Sequence, residues 1–136
     1  MRLSTSKKIE QGGVYIAPGH SHLRVAKQGH YYVCKLDRGK LINRHRHRHR
    51  PSVEALFDSV TDVYHLNTMG VLLTGTGADG AEALLRMREA KMLTVAQDEK
   101  SSFVWGMPCA AVKLGAAINV LDLNDIVAAI LFEAFQ

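Results

Sequence analysis

The stretch Gly70-Val71-Leu72-Leu73-Thr74-Gly75-Thr76-Gly77-Ala78-Asp79-Gly80, continued by Ala81-Glu82-Ala83-Leu84-Leu85, limits the choice of fold more than any other part of the chain. Val71 to Thr74 is a short apolar run with β-branched ends, which predicts a strand buried on both faces, as in a parallel sheet covered by helices. The glycines that follow allow an abrupt turn, because a residue without Cβ accepts positive φ freely. Asp79 then falls at or near a helix start, where a carboxylate caps free N–H groups. A strand–loop–helix corner of this kind is where α/β proteins keep their chemistry.

The flanking segments fit such a sheet. Gly12 to Gly19 reads as a turn, a short strand over Val14-Tyr15-Ile16 and a second turn. His20 to Val25 and Tyr31 to Cys34, with Gly29 between them, read as a hairpin, and Asp37 to Arg50 reads as a long polar loop. Pro51 suits a first helical turn, and Val53, Leu56, Phe57 and Val60 follow at the offsets of one buried face. Met92 to Ala96 is a second buried strand, Met107-Pro108 opens a helix that ends near Gly115, and Ile118 to Leu121 is a third strand. Asp122 or Asn124 caps a last helix with Ile126, Ile130 and Leu131 as its apolar stripe. Alternating strands and helices imply a mainly parallel sheet with right-handed crossovers, decorated at one edge by the hairpin. The fold class is therefore α/β, with residues 1–136 forming one domain.

Composition narrows the setting. The chain of 136 residues is 47% apolar and 22% charged, ordinary values for a globular domain. No apolar run approaches the ~18 residues of a membrane helix and no signal-peptide pattern opens the chain, so no membrane insertion and a cytoplasmic location are expected. Cys34 and Cys109 stand in no metal or redox spacing and are expected to be reduced thiols. The net charge of +4 mildly favours an acidic partner.

Gly75-Thr76-Gly77-Ala78-Asp79-Gly80 satisfies G-x-G-x-x-G between a strand and a helix, and Asp98 and Glu99 close the next strand, where a ribose-binding acid belongs in a dinucleotide fold. Against that reading, Asp79 puts a negative charge where a pyrophosphate would have to sit. A purely structural glycine turn with Asp79 as a helix cap is a second reading.

A third reading comes from resemblance. Gly70 to Ala81 resembles the signature loop of the chemotaxis protein-glutamate methylesterases, the CheB family. Val14-Tyr15-Ile16-Ala17-Pro18-Gly19-His20-Ser21-His22-Leu23, Arg50-Pro51-Ser52-Val53-Glu54-Ala55-Leu56-Phe57, Ala96-Gln97-Asp98-Glu99 and Gly106-Met107-Pro108 are similar to further segments of its catalytic domain, in the same order. The similarity runs from about Gly13 to the last helix. It implies a three-layer α/β/α domain, a mainly parallel sheet plus a β-hairpin, without the family's first strand–helix–strand unit and without its phosphorylatable regulatory domain.

The resemblance also implies an activity: hydrolysis of glutamate methyl esters, and deamidation of certain glutamines, on the cytoplasmic helices of methyl-accepting chemotaxis receptors. The family uses a serine nucleophile, a histidine base and an aspartate that orients the histidine. By this match Asp79 is the acid, and Thr76 and Gly77 border the substrate pocket. Thr76 stands where the family usually has methionine, and Ala78 where a polar residue is common. No serine of the chain lies in a strand–Gly-x-Ser-x-Gly–helix setting, and His20 and His22 match a turn of the family that does not supply its base. The chain alone is therefore expected to be inactive. A non-catalytic receptor-docking or oligomerisation module and a nucleotide-binding domain are the alternatives, and the absent strands lead to an expectation of homo-oligomers.

Arg44-His45-Arg46-His47-Arg48-His49-Arg50 is the oddest composition in the sequence. If extended, it would put its histidines on one face and its arginines on the other. The arginines oppose a metal cation and no aromatic residue is interleaved to stack bases, so the run reads as a solvated loop. No metal, no cofactor and no nucleic-acid partner are expected. Trp105 reads as core or pocket wall and Cys109 as an inert thiol.

Overall fold

The computed structural model describes residues 6–37, 50–63 and 67–135. The expected loop from Asp37 to Arg50, with the run Arg44 to His49, lies mostly outside the described residues. The first three strands are β1 (Ser6–Lys8), β2 (His22–Gln28) and β3 (Tyr31–Asp37), and they form an antiparallel sheet in the order β1-β3-β2. The hairpin register pairs Gln28 with Tyr31 and His22 with Asp37, so the strands are longer than their apolar alternation suggests. Helix α1 (Val53–Val63) follows, then β4 (Met69–Leu72), α2 (Ala81–Glu89), β5 (Leu93–Gln97), α3 (Met107–Lys113), β6 (Asn119–Leu121) and α4 (Leu123–Ala134). Strands β4, β5 and β6 form a parallel sheet in sequence order.

Helices α2 and α3 touch each other and both pack on β4 and β5. Leu72, Leu84, Met87, Met92, Ala96 and Ala111 form the centre of that core. α4 packs on β5 and β6. Helix α1 joins the two sheets, lying against β2 on one side and α2 on the other. Ser59 fastens the first contact: its hydroxyl accepts from Val25 N at 2.9 Å and donates to Leu56 O at 2.7 Å. Burying that hydroxyl costs little because it makes both bonds.

Several local expectations are corrected. Val14-Tyr15-Ile16 is not a strand; Val14 and Ile16 are exposed, and Ser6–Lys8 pairs with β3 instead. The hairpin belongs to a sheet of its own and does not extend the parallel sheet. The central strand ends at Leu72, two residues earlier than its apolar run, and Leu73 is exposed. On α4 only Ile126 of the expected stripe is buried; Ile130 and Leu131 are exposed, as are Val127, Phe132 and Phe135. Asp122 caps this helix, accepting from Asp125 N at 2.8 Å.

Candidate active site

After β4 the chain enters the glycine loop, which is held down by the segment leading into α3. Gly75 N donates to Val104 O at 3.0 Å, while Gly75 O accepts from Gly106 N at 3.1 Å and from Met107 N at 2.8 Å. This approach leaves no room for side chains: a Cβ on Gly106 would lie 2.6 Å from Gly75 O and 3.0 Å from Gly77 N. Glycine at 106 is thus required where backbone crosses backbone, while a Cβ on Gly75 would meet the Met107 side chain. The Gly75 end of the loop is taken up by its contacts with Gly106 and Met107, where a dinucleotide pyrophosphate would need an open cradle. Thr76, Gly77 and Ala78 are exposed at the loop tip.

Asp79 turns the other way. It is only 6% exposed, and both carboxylate oxygens face the start of α1. Oδ2 accepts from Val53 N at 2.8 Å, and Oδ1 accepts from Glu54 N at 3.1 Å and from Ser52 Oγ at 3.1 Å. Ser52 completes the cap: its Oγ accepts from Ala55 N and its carbonyl from Leu56 N, both at 3.3 Å. Each of the four leading N–H groups of α1 therefore has an acceptor. The expected cap of Asp79 on its own helix is corrected: Gly80 is the N-cap of α2, with no side-chain cap bond. A negative charge at the α1 N-terminus is also favoured by that helix's dipole.

Glu54 returns the interaction. Its buried carboxylate accepts from Gly80 N at 3.1 Å and pairs with Arg86 of α2, which also holds Asp58 at 2.8 Å. Two helix starts and an ion pair thus lock the corner in place.

Beneath Ser52 lies His22, fully buried at the start of β2, whose Nδ1 accepts from Ser52 N at 3.2 Å. Burial and the nearby Arg24 and Arg50 hold His22 below its ordinary pKa of 6.5, while Asp37 and Asp79 oppose the shift. A serine, a histidine and an aspartate are thus gathered, but not as a hydrolytic triad. The hydroxyl donates to the carboxylate, the imidazole is engaged by a backbone amide, and Ser52 is buried. A nucleophile needs its hydroxyl on the imidazole and open to substrate.

Ser52, Glu54 and His22 were not singled out as site residues from sequence. The available signal was Ser52 after Pro51, directly before the apolar helical face, since serine is a preferred N-cap. Nothing local tied it to residue 79. Gln97 also belongs to this corner: it is buried, its Oε1 accepts from Thr74 N at 2.8 Å and its Nε2 donates to Ser101 O at 2.7 Å, bracing the strand ends. Trp105 donates from Nε1 to Gln97 O at 2.9 Å, a wall of the same corner. Burial raises the Cys34 thiol pKa, which suits an inert core cysteine. Among the described residues no group of three His, Cys, Asp or Glu side chains is placed to hold a metal, and no helix is long and apolar enough to cross a membrane.

A parallel sheet with a buried acid and an open loop at its carboxyl edge defines an α/β protein of the kind that places chemistry beyond its strand ends. The family model described as CheB methylesterase matches residues 2–130, and the chain belongs to that family. It is 58% identical over 128 residues to protein-glutamate methylesterase/protein-glutamine glutaminase 2 of Saccharophagus degradans, covering 94% of this chain and 36% of that protein. It is 54% identical over 122 residues to protein-glutamate methylesterase/protein-glutamine glutaminase 1 of Hahella chejuensis, covering 90% and 33%. The chain therefore spans about a third of the length of these curated relatives. The crystal structure of the Thermotoga maritima CheB methylesterase catalytic domain superposes with a TM-score of 0.83 at 31% identity, covering 90% of this chain and 63% of that one.

Proposed function

We propose that this chain forms the acid-bearing part of a protein-glutamate methylesterase and glutaminase site acting on chemoreceptor helices. The observation that carries the reading is Asp79, a buried carboxylate anchored by α1 directly beside the exposed loop tip. In this reading Asp79 fixes the tautomer of a histidine and stabilises the imidazolium formed as a serine attacks the ester carbonyl. The serine and histidine come from residues outside this sequence. Thr76 and Gly77 border the substrate. The substrate helix lies along the carboxyl edge of the sheet, in a cytoplasmic setting. The exposed apolar face of α4 supports contact with the remainder of such a domain or with a second copy.

The test is a hybrid in which this chain replaces the matching 63% of the Thermotoga maritima catalytic domain. Methanol release from methylated receptor is expected, and Asp79→Asn is expected to lower kcat by a factor on the order of 10³ to 10⁴. A folded hybrid whose hydrolysis is indifferent to Asp79→Asn overturns the reading. The nucleotide reading has no support in the geometry, because the glycine loop is packed against Gly106 and Met107.

A further inference from the structure

We propose that His22 and Ser52 form a proton-sensitive latch that positions the Asp79 carboxylate. Ser52 is the shared element: its N–H is held by His22 Nδ1 and its hydroxyl by Asp79 Oδ1, so the residue cannot shift toward one partner without disturbing the other. An imidazole that accepts at Nδ1 must carry its proton at Nε2. That Nε2 atom is buried and has no hydrogen-bond partner among the described residues. Among the described residues the neutral ring is thus held by one hydrogen bond, the one to Ser52.

Protonation at Nδ1 turns the acceptor into a donor facing the Ser52 N–H, and two donors cannot share that bond. Ser52 must then move, and its hydroxyl leaves Asp79. The charged groups acting on the ring are Arg24 on β2, Asp37 on β3, Arg50 ahead of α1 and Asp79 ahead of α2. Because the folded-state pKa lies below 6.5, the unfolded chain takes up the proton first. The stability due to the neutral ring is complete above 6.5 and is lost as the pH falls through the folded-state value.

Ser52 and His22 are positioning residues, and their bearing on catalysis rests on the role of Asp79 given above; the latch itself does not. The test is nuclear magnetic resonance on the full chain, following the His22 ring nitrogens and the Asp79 carboxyl carbon from neutral to acid pH. Expected are an Nε2–H tautomer at neutral pH and a step in the Asp79 signal coincident with His22 protonation. His22→Gln and Ser52→Ala should lose that step, and Ser52→Thr, which keeps a hydroxyl, should retain it. An Nδ1–H tautomer in the unaltered chain overturns the proposal without recourse to any variant. So does an Asp79 signal that shows no step with His22, or one that keeps the step in Ser52→Ala. An active hybrid insensitive to Asp79→Asn would instead remove the catalytic reading and leave this measurement standing.

Discussion

Asp79 and Glu54 serve each other's helices: the Asp79 carboxylate accepts from Glu54 N at 3.1 Å, and the Glu54 carboxylate accepts from Gly80 N at 3.1 Å. The two acids lie 25 residues apart in sequence yet close one loop of bonds between the starts of α1 and α2. Carboxylates at helix N-termini are favourable singly; here each also fixes the backbone that carries the other.

Asp79→Ala should therefore destabilise the fold apart from any effect on activity. It removes the acceptor for Val53 N and Glu54 N in a buried setting. The expected loss is about 1–3 kcal/mol, a helix cap plus unsatisfied amides. Urea denaturation, read as a lower midpoint at unchanged slope, measures it. An unchanged midpoint would mean that α1 does not depend on this carboxylate.

Arg86→Met should take the guanidinium away from the buried Glu54 carboxylate and from Asp58. Arg86 and Asp58 are both substantially exposed, so solvent screening reduces the effect to about 1–2 kcal/mol. Arg86→Lys should recover only part of the loss, because an ammonium cannot fork between two carboxylates. A double-mutant cycle with Glu54→Gln should show coupling; strict additivity would place the two residues in separate roles.

Gly106→Ala should cost about 3 kcal/mol, since its Cβ would meet the backbone of Gly75 at 2.6 Å and neither chain segment can give way cheaply. Gly77→Ala is the contrasting case. Its φ of +88° is unfavourable for alanine, but nothing lies within 4 Å of the added carbon, so a loss of about 1 kcal/mol is expected. Thermal melts of the two variants should rank them in that order; the reverse order would show that loop conformation, not the crossing at Gly106, limits stability.

The alternation of strands and helices from β4 to α4 was legible because each segment carries its own periodicity and stop signals. The cap of α4 by Asp122 is local, three residues from its partner amide, and was readable for the same reason. Where burial depended on what lies alongside, the sequence misled. Val14 and Ile16 look like strand residues but are exposed, and Ile130 and Leu131 have helical spacing without a covering partner. Asp79 was legible as a cap, and the wrong helix was assigned to it.

The sequence by itself determined the element order, the α/β class and the importance of the corner at residues 70–80, because hydrophobic period, glycine and proline act over a few residues. Only the tertiary structure decided that Asp79 faces α1, that Ser52 links it to His22, and that Gly106 closes over Gly75. Those are contacts between segments 25 or more residues apart, set by how helices and strands pack, and no local pattern encodes which amide a carboxylate will meet.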